Sequence, residues 1–234
     1  SPKQVDEILD ATVLLYMGLG FQPAVEDIAK NRQEGVTLDV LAALSPQLRK
    51  LQGEESVEGE TDPHVWLDPV LMAGIVDEVR KALTRADPAG ASAYERNAQR
   101  YRSEIEGLNE RFREGLHDCS RRVIVTSHAA FGYLAARYGL VQEAISGISP
   151  EAEPDPKRLA RLADLVRREG VTTIFTEELV SPRVAETLAR EAGVRTAVLN
   201  PLEGLTSEEI GRGENYVTVM RENLATLRAA LGCR

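Results

Sequence analysis

The chain has 234 residues, of which 43% are hydrophobic and 28% are charged, and its formal net charge at pH 7 is −9. This length suits one large domain or two lobes of roughly 100 residues each. The acidic balance argues against a nucleic-acid-binding protein, which would carry clustered Lys and Arg. No apolar stretch approaches the length of about 20 residues that is needed to span a bilayer.

The opening segment, SPKQVDEILD, is polar and has a helical pattern, so it does not read as a signal peptide. Two interpretations of this start stay open from the residues alone. The chain is either a cytosolic protein or an exported protein whose leader has been removed.

Short β-branched runs that alternate with amphipathic helices predict parallel sheets in an α/β architecture. Helix starts are marked by a capping residue before proline, and helix ends by glycine. The predicted strands are TVLLY (12–16), VIVTS (123–127), VTTIFT (171–176) and RTAVL (195–199). The marked starts are Ser1-Pro2, Asp68-Pro69, Asp155-Pro156 and Ser181-Pro182, and the marked ends are Gly139, Gly170 and Gly193.

The middle of the chain carries no strand signal and instead has one apolar stripe at helical spacing. The stripe consists of Tyr94, Ala98, Tyr101, Ile105, Leu108 and Phe112. We therefore expect two α/β lobes, residues 1–88 and 119–234, joined by one long rigid helix over residues 89–118.

Two of the three histidines occupy positions where a ligand could bind. His128 follows the run VIVTS directly, and ligands of open α/β sheets bind at the carboxyl ends of strands. His64 lies in DPHVWLDP, where two prolines restrict the loop, and a rigid loop loses little entropy on binding. Both histidines also have a purely structural interpretation. His128 would form a hydrogen bond with a nearby backbone group, and His64 would lie in a turn and pack beside Trp66.

Polar residues also follow two other predicted strands. Glu177 and Glu178 come after VTTIFT, and Asn200 comes after RTAVL. A zinc hydrolase with Glu177 or Glu178 as general base is one alternative that these carboxylates leave open. The chain lacks the G-x-S-x-G and H-E-x-x-H patterns, so catalysis has little support.

The two cysteines, Cys119 and Cys233, allow two readings. They are either buried thiols of a cytosolic protein or a disulfide that closes a loop of about half the chain. Because Cys233 is the penultimate residue, where a buried thiol is less expected, we favour the disulfide and an oxidising compartment.

The segments DPHVWLDP (62–69) and TSHAAFGYLAARYGL (126–140) together resemble the zinc and manganese solute-binding proteins of bacterial ABC importers. The resemblance continues through GISPEAEPDPKRLARLADLVRREGV (147–171), NPLEGL (200–205) and the terminal helix (215–233), so it covers essentially the whole chain.

This resemblance implies a metal site between two lobes, with His64 and His128 as ligands. Glu177 and Glu178 either orient these ligands or serve structurally at the start of the next helix. Histidine at 128 favours Zn²⁺ over Mn²⁺, because manganese-type members often place a carboxylate there. The implied protein is a monomer outside the cytoplasm that captures the ion and delivers it to an ABC-type permease in the membrane.

Two departures from the family pattern qualify this expectation. The family usually carries a first strand and, on the loop after it, a further histidine, both ahead of the helix that opens this chain. That strand and that histidine are absent, so we expect a truncated chain whose leader was removed, and the sequence leaves open whether a lipid anchor was removed with it. Asn200 stands where the family commonly has a liganding aspartate, and a neutral amide binds Zn²⁺ less well or acts through water. A truncated module without bound metal, structural or adhesive, is the remaining alternative.

Overall fold

The computed structural model describes residues 2–45, 48, 61–148, 155–178 and 181–234. The described chain is mixed α/β with parallel sheets and one long helix, as expected. It forms two compact units: the first unit is Ser1–Arg49 with Pro69–Glu106, and the second unit is Lys50–Asp68 with Gly107–Arg234. Residues 61–68, which were expected in the first lobe, fall in the second unit. None of the described helices is long and apolar enough to cross a membrane.

The first unit contains a small parallel sheet of two strands. Val13 of the first strand lies opposite Val36 of the second. The sequence did not predict the second strand, because VTLD is short and ends in a polar residue. The elements of this unit, in chain order, are α1 Pro2–Asp10, β1 Val13–Tyr16, α2 Pro23–Ala29, β2 Val36–Asp39, α3 Val40–Ala43 and α4 Pro69–Ala86.

The long helix α5 covers Ala91–Gly115, which is 25 residues. At 1.5 Å per residue this is about 38 Å. The predicted stripe is the packed face of the helix, since Ile105, Leu108 and Phe112 are all buried.

The second unit is built on a four-stranded parallel sheet in the order β4-β3-β5-β6. The edge strand β4 was not predicted, because its sequence VQEA is polar, as an exposed edge permits. After the 3-10 helix Val65–Leu67, the elements are β3 Val123–Thr126, α6 Gly132–Tyr138, β4 Val141–Ala144, α7 Pro156–Arg168, β5 Thr173–Thr176, α8 Arg183–Ala192, β6 Arg195–Val198, α9 Ser207–Gly211 and α10 Tyr216–Leu231.

Both faces of this sheet are covered by hydrophobic clusters. Ile124 and Phe175 face a cluster that includes Phe112 of α5. Val125 and Ile174, their neighbours along the strands, face a second cluster formed with α7 and α8. This alternation explains why the strands read as continuous apolar runs in the sequence.

The expected disulfide between Cys119 and Cys233 is present and spans 114 positions of the chain. The two cysteines also form an isolated antiparallel bridge, and the N–H of Arg234 donates to the carbonyl of Asp118 at 2.9 Å. The end of α10 is therefore fastened to the segment that leads into β3.

Candidate metal site

The loop that leads into the 3-10 helix positions His64, whose side chain is fully buried. Its Nδ1 lies 2.8 Å from Oδ1 of Asp62, and the same oxygen accepts from the His64 backbone N–H at 2.9 Å. Asp62 is itself buried, and its carbonyl accepts from the hydroxyl of Tyr133 at 3.1 Å. Asp62 therefore fixes the orientation of the imidazole and leaves Nε2 available to a ligand.

Helix α6 holds this loop at both ends. At its start, a Cβ added to Gly132 would lie 2.8 Å from Oδ2 of Asp62, so glycine leaves the space that the carboxylate occupies. At its end, Arg137 forms a two-pronged ion pair with the buried carboxylate of Asp68, with Nε 2.9 Å and a terminal nitrogen 2.7 Å from Oδ2.

His128 follows β3 and is also fully buried. Its Nδ1 lies 2.7 Å from Oε1 of Glu177, which comes after the neighbouring strand β5. The carbonyl of His128 accepts hydrogen bonds from the hydroxyl of Thr126 at 2.7 Å and from Nε2 of Gln142 at 3.0 Å. As with His64, a buried carboxylate occupies Nδ1 and leaves Nε2 for another partner.

Glu203 brings the two histidines together. Its Oε1 lies 3.0 Å from Nε2 of His64 and 3.2 Å from Nε2 of His128. One potential ligand atom from each of the three residues lies within 4.8 Å of the other two. Glu203 does not stand at the end of a strand and was not predicted, because it lies in the irregular segment between β6 and α9. The signal that could have found it is the carboxylate in the motif NPLEGL.

The site stabilises positive charge between its carboxylates. Burial alone would lower the pKa of His128, but hydrogen bonds with Glu177 and Glu203 outweigh burial and raise it to about 9. The pKa of His64 is raised in the same way, against burial, by Asp62 and Glu203. Burial would raise the pKa of Glu203, but hydrogen bonds from both histidines lower it to about 2. A bound cation would supply the charge that protons supply here.

The remaining residues singled out in the sequence have other partners. Asn200 is buried, but its Oδ1 accepts from the N–H of Leu202 at 2.8 Å and its Nδ2 donates to Oε1 of Glu209 at 3.2 Å. Glu178 is exposed, and a hydrogen bond with Glu209 raises its pKa. Glu177 has a second oxygen that is buried without a hydrogen-bond partner.

Two buried imidazoles and a carboxylate beside the carboxyl ends of parallel strands define an α/β protein with a candidate metal site. The chain belongs to the ZnuA family, described as zinc-uptake complex component A, periplasmic, whose profile matches residues 1–230. The resemblance found in the sequence motifs is thereby confirmed.

Named relatives give the same picture. The chain is 39% identical over 246 residues to the zinc-binding protein AdcA of Streptococcus pyogenes, with 97% of this chain and 48% of the relative covered. It is 35% identical over 240 residues to the high-affinity zinc uptake system protein ZnuA of Bacillus subtilis, with 99% and 75% covered. The chain therefore spans about half the length of the AdcA relatives that it matches.

Among solved structures, the chain is similar to the Zn(II)-bound ZnuA-like domain of Streptococcus pneumoniae AdcA. The TM-score is 0.78 at 38% sequence identity, and the match covers 99% of this chain and 84% of that chain.

Proposed function

We propose that this protein captures Zn²⁺ outside the cytoplasm with His64, His128 and Glu203 and, as a monomer, delivers it to an ABC-type permease. The observation that carries the proposal is the position of one Glu203 oxygen, 3.0 Å and 3.2 Å from the two Nε2 atoms. The family description and the names of the relatives, which refer to zinc binding and zinc uptake, support it.

The donor set suits zinc. Imidazole nitrogen and carboxylate oxygen are both ordinary zinc ligands, and three protein donors leave one position of a tetrahedral ion for water or a further donor. Asp62 and Glu177 orient the two ligands without touching the ion. Each accepts a hydrogen bond from the Nδ1–H of its histidine and so directs the Nε2 lone pair towards the ion. Mn²⁺ prefers oxygen ligands, so it is the weaker candidate for a site with two imidazoles.

The proposed role requires reversible coordination and no turnover. Glu177 is one of the two candidate bases of a hydrolase. It is buried and hydrogen-bonded to His128, so its role is to orient the imidazole. The disulfide between Cys119 and Cys233 supports an oxidising location outside the cytoplasm.

The test is a zinc titration in competition with a chromophoric chelator. We expect His64→Ala, His128→Ala and Glu203→Ala each to weaken zinc binding more than about 100-fold, since removal of a ligand costs more than removal of its hydrogen-bond partner. Mn²⁺ should bind the unaltered protein more weakly than Zn²⁺ does in the same assay.

The matched control is His117→Ala, which removes the exposed histidine that is not part of the cluster. This variant should keep the affinity of the unaltered chain. Wild-type zinc affinity in all three cluster variants would exclude the proposed site.

A further inference from the structure

We propose that Asn200 is a positioning residue for Glu203, and that it sets zinc affinity through the backbone of Leu202 without touching the ion. The inference rests on the proposed function, because it concerns the placement of one of the proposed ligands.

The segment after β6 has an unusual backbone at Leu202. Its φ is +58°, in the left-handed region that an L-residue with a side chain rarely adopts. The Leu202 N–H donates to Oδ1 of Asn200 at 2.8 Å, two residues earlier. Asparagine side chains stabilise turns by this kind of contact. Since Glu203 is the next residue, the backbone conformation of Leu202 sets the position from which the Glu203 side chain extends.

Asn200 is itself held firmly. Its backbone N–H donates to Oδ1 of Asn223 at 2.9 Å, and its carbonyl accepts from Nδ2 of Asn223 at 2.7 Å. Asn223 lies on α10 and is buried. Because Nδ2 of Asn200 also donates to Glu209, both ends of the Asn200 amide are engaged. The side-chain amide of Asn200 is thus hydrogen-bonded to Glu209 through Nδ2 and to the backbone of Leu202 through Oδ1.

Pro201, the residue between Asn200 and Leu202, is also held by a hydrogen bond. The indole N–H of Trp66 donates to the carbonyl of Pro201 at 2.8 Å, and the Trp66 carbonyl accepts from the hydroxyl of Tyr216 at 2.8 Å. Residues 200, 201 and 202 each have a fixed backbone group, and the carboxylate of Glu203 extends from this anchored segment. A ligand held in this way keeps the small positional tolerance that metal coordination requires.

The first experiment is a double-mutant cycle read by zinc competition titration. Asn200→Ala should weaken zinc binding about tenfold, the effect expected when a group that orients a ligand is removed. In a Glu203→Ala background, the same substitution should change affinity less than about twofold, because no carboxylate remains to be positioned. A general structural role would weaken binding equally in both backgrounds, and that result would overturn the inference.

The matched control is Asn109→Ala in the same unit. It removes an asparagine side chain that accepts a hydrogen bond from Tyr138 at 3.0 Å and has no hydrogen bond to residues 200–203. This variant should bind zinc like the unaltered chain. If it weakens binding as much as Asn200→Ala does, the effect is not specific to the Glu203 segment and the inference fails.

A second pair of variants tests the turn without changing Asn200. Leu202→Gly and Leu202→Ala both remove the leucine side chain, but only glycine adopts a positive φ without steric cost. We expect Leu202→Gly to bind zinc more tightly than Leu202→Ala, and the opposite order would contradict the role of the turn. The proposed function fails by a different result, namely wild-type zinc affinity in all three variants His64→Ala, His128→Ala and Glu203→Ala.

Discussion

The two units use parallel strands in different ways. In the second unit all four residues of β5 are buried, and clusters cover both faces of the sheet. In the first unit no residue of β1 is buried, and Leu15 is 40% exposed. The comparison agrees with the position of the candidate site, since His64, His128 and Glu177 are all buried in the unit whose sheet is covered on both faces.

The ends of the strands sharpen the same contrast. In the first unit, Tyr16 ends β1 and Asp39 ends β2, so polar groups meet at the carboxyl edge there too. The carboxylate of Asp39, however, caps helix α3 by accepting from the N–H of Ala42 at 2.8 Å. Position at a strand end is therefore insufficient for a metal site, which also needs burial and donors that converge on one point.

The largest expected effect is the loss of stability on removal of the Cys119–Cys233 disulfide, which lies within the second unit. Replacing both Cys119 and Cys233 by serine should destabilise the second unit by about 4 kcal/mol, because the disulfide closes a long loop in the unfolded chain. Hydrogen exchange followed by mass spectrometry should show faster exchange in the second unit, while amides of β1 and β2 keep their protection.

Reduction of the unaltered protein is the control, and it should reproduce the exchange pattern of the double serine variant. Equal loss of protection in both units would mean that they unfold together, and the contrast between them would not hold.

Much of the fold could be predicted because burial leaves a signal in the residue pattern. The strands β3 and β5 are apolar on both faces, so their runs are continuous in the sequence. The strands β2 and β4 escaped prediction because partial exposure allows polar residues in four-residue strands. The long helix α5 was recognised from the spacing of its buried face.

The site could be predicted only in part. His64 and His128 stand out because each follows a marked strand end or lies in a proline-bounded loop. Glu203 directly follows the left-handed turn at Leu202, and no local sequence rule predicts that a leucine adopts this conformation. The sequence does not indicate that Asp62 contacts the imidazole, since this contact arises from the fold of the loop.

The next effect compares one substitution in both units. Leu134→Ala in the second unit and Leu41→Ala in the first each remove a fully buried leucine side chain. Leu134 belongs to a large hydrophobic cluster, so we expect a loss of about 3–4 kcal/mol of unfolding free energy there and about 2–3 kcal/mol at Leu41. Urea unfolding monitored by the single tryptophan, Trp66, reports the second unit, and hydrogen exchange of α3 and α4 reports the first. A larger loss at Leu41 would reverse the order of the two cores.

The smallest expected effect is the loss of stability when a glycine with positive φ is replaced by alanine. One glycine from each unit separates the cost of the backbone conformation from the cost of a steric clash. Gly18 has φ +81° and Gly139 has φ +67°, so alanine at either position adopts an unfavourable backbone at a cost of about 1 kcal/mol. At Gly139 an added Cβ meets nothing within 4 Å, and the cost should stop there.

At Gly18 the added Cβ would lie 2.2 Å from Oδ1 of Asp39, the oxygen that caps α3. The carboxylate must then move and release its hydrogen bond to Ala42, which adds about 1 kcal/mol, the usual value of a helix cap. We therefore expect about 2 kcal/mol for Gly18→Ala, measured by urea unfolding with hydrogen exchange at the start of α3. The variant Asp39→Ala should cost about 1 kcal/mol alone, and adding Gly18→Ala to it should cost only about 1 kcal/mol more, because the clash has been removed. Full additivity of the two substitutions would show that Asp39 does not crowd Gly18.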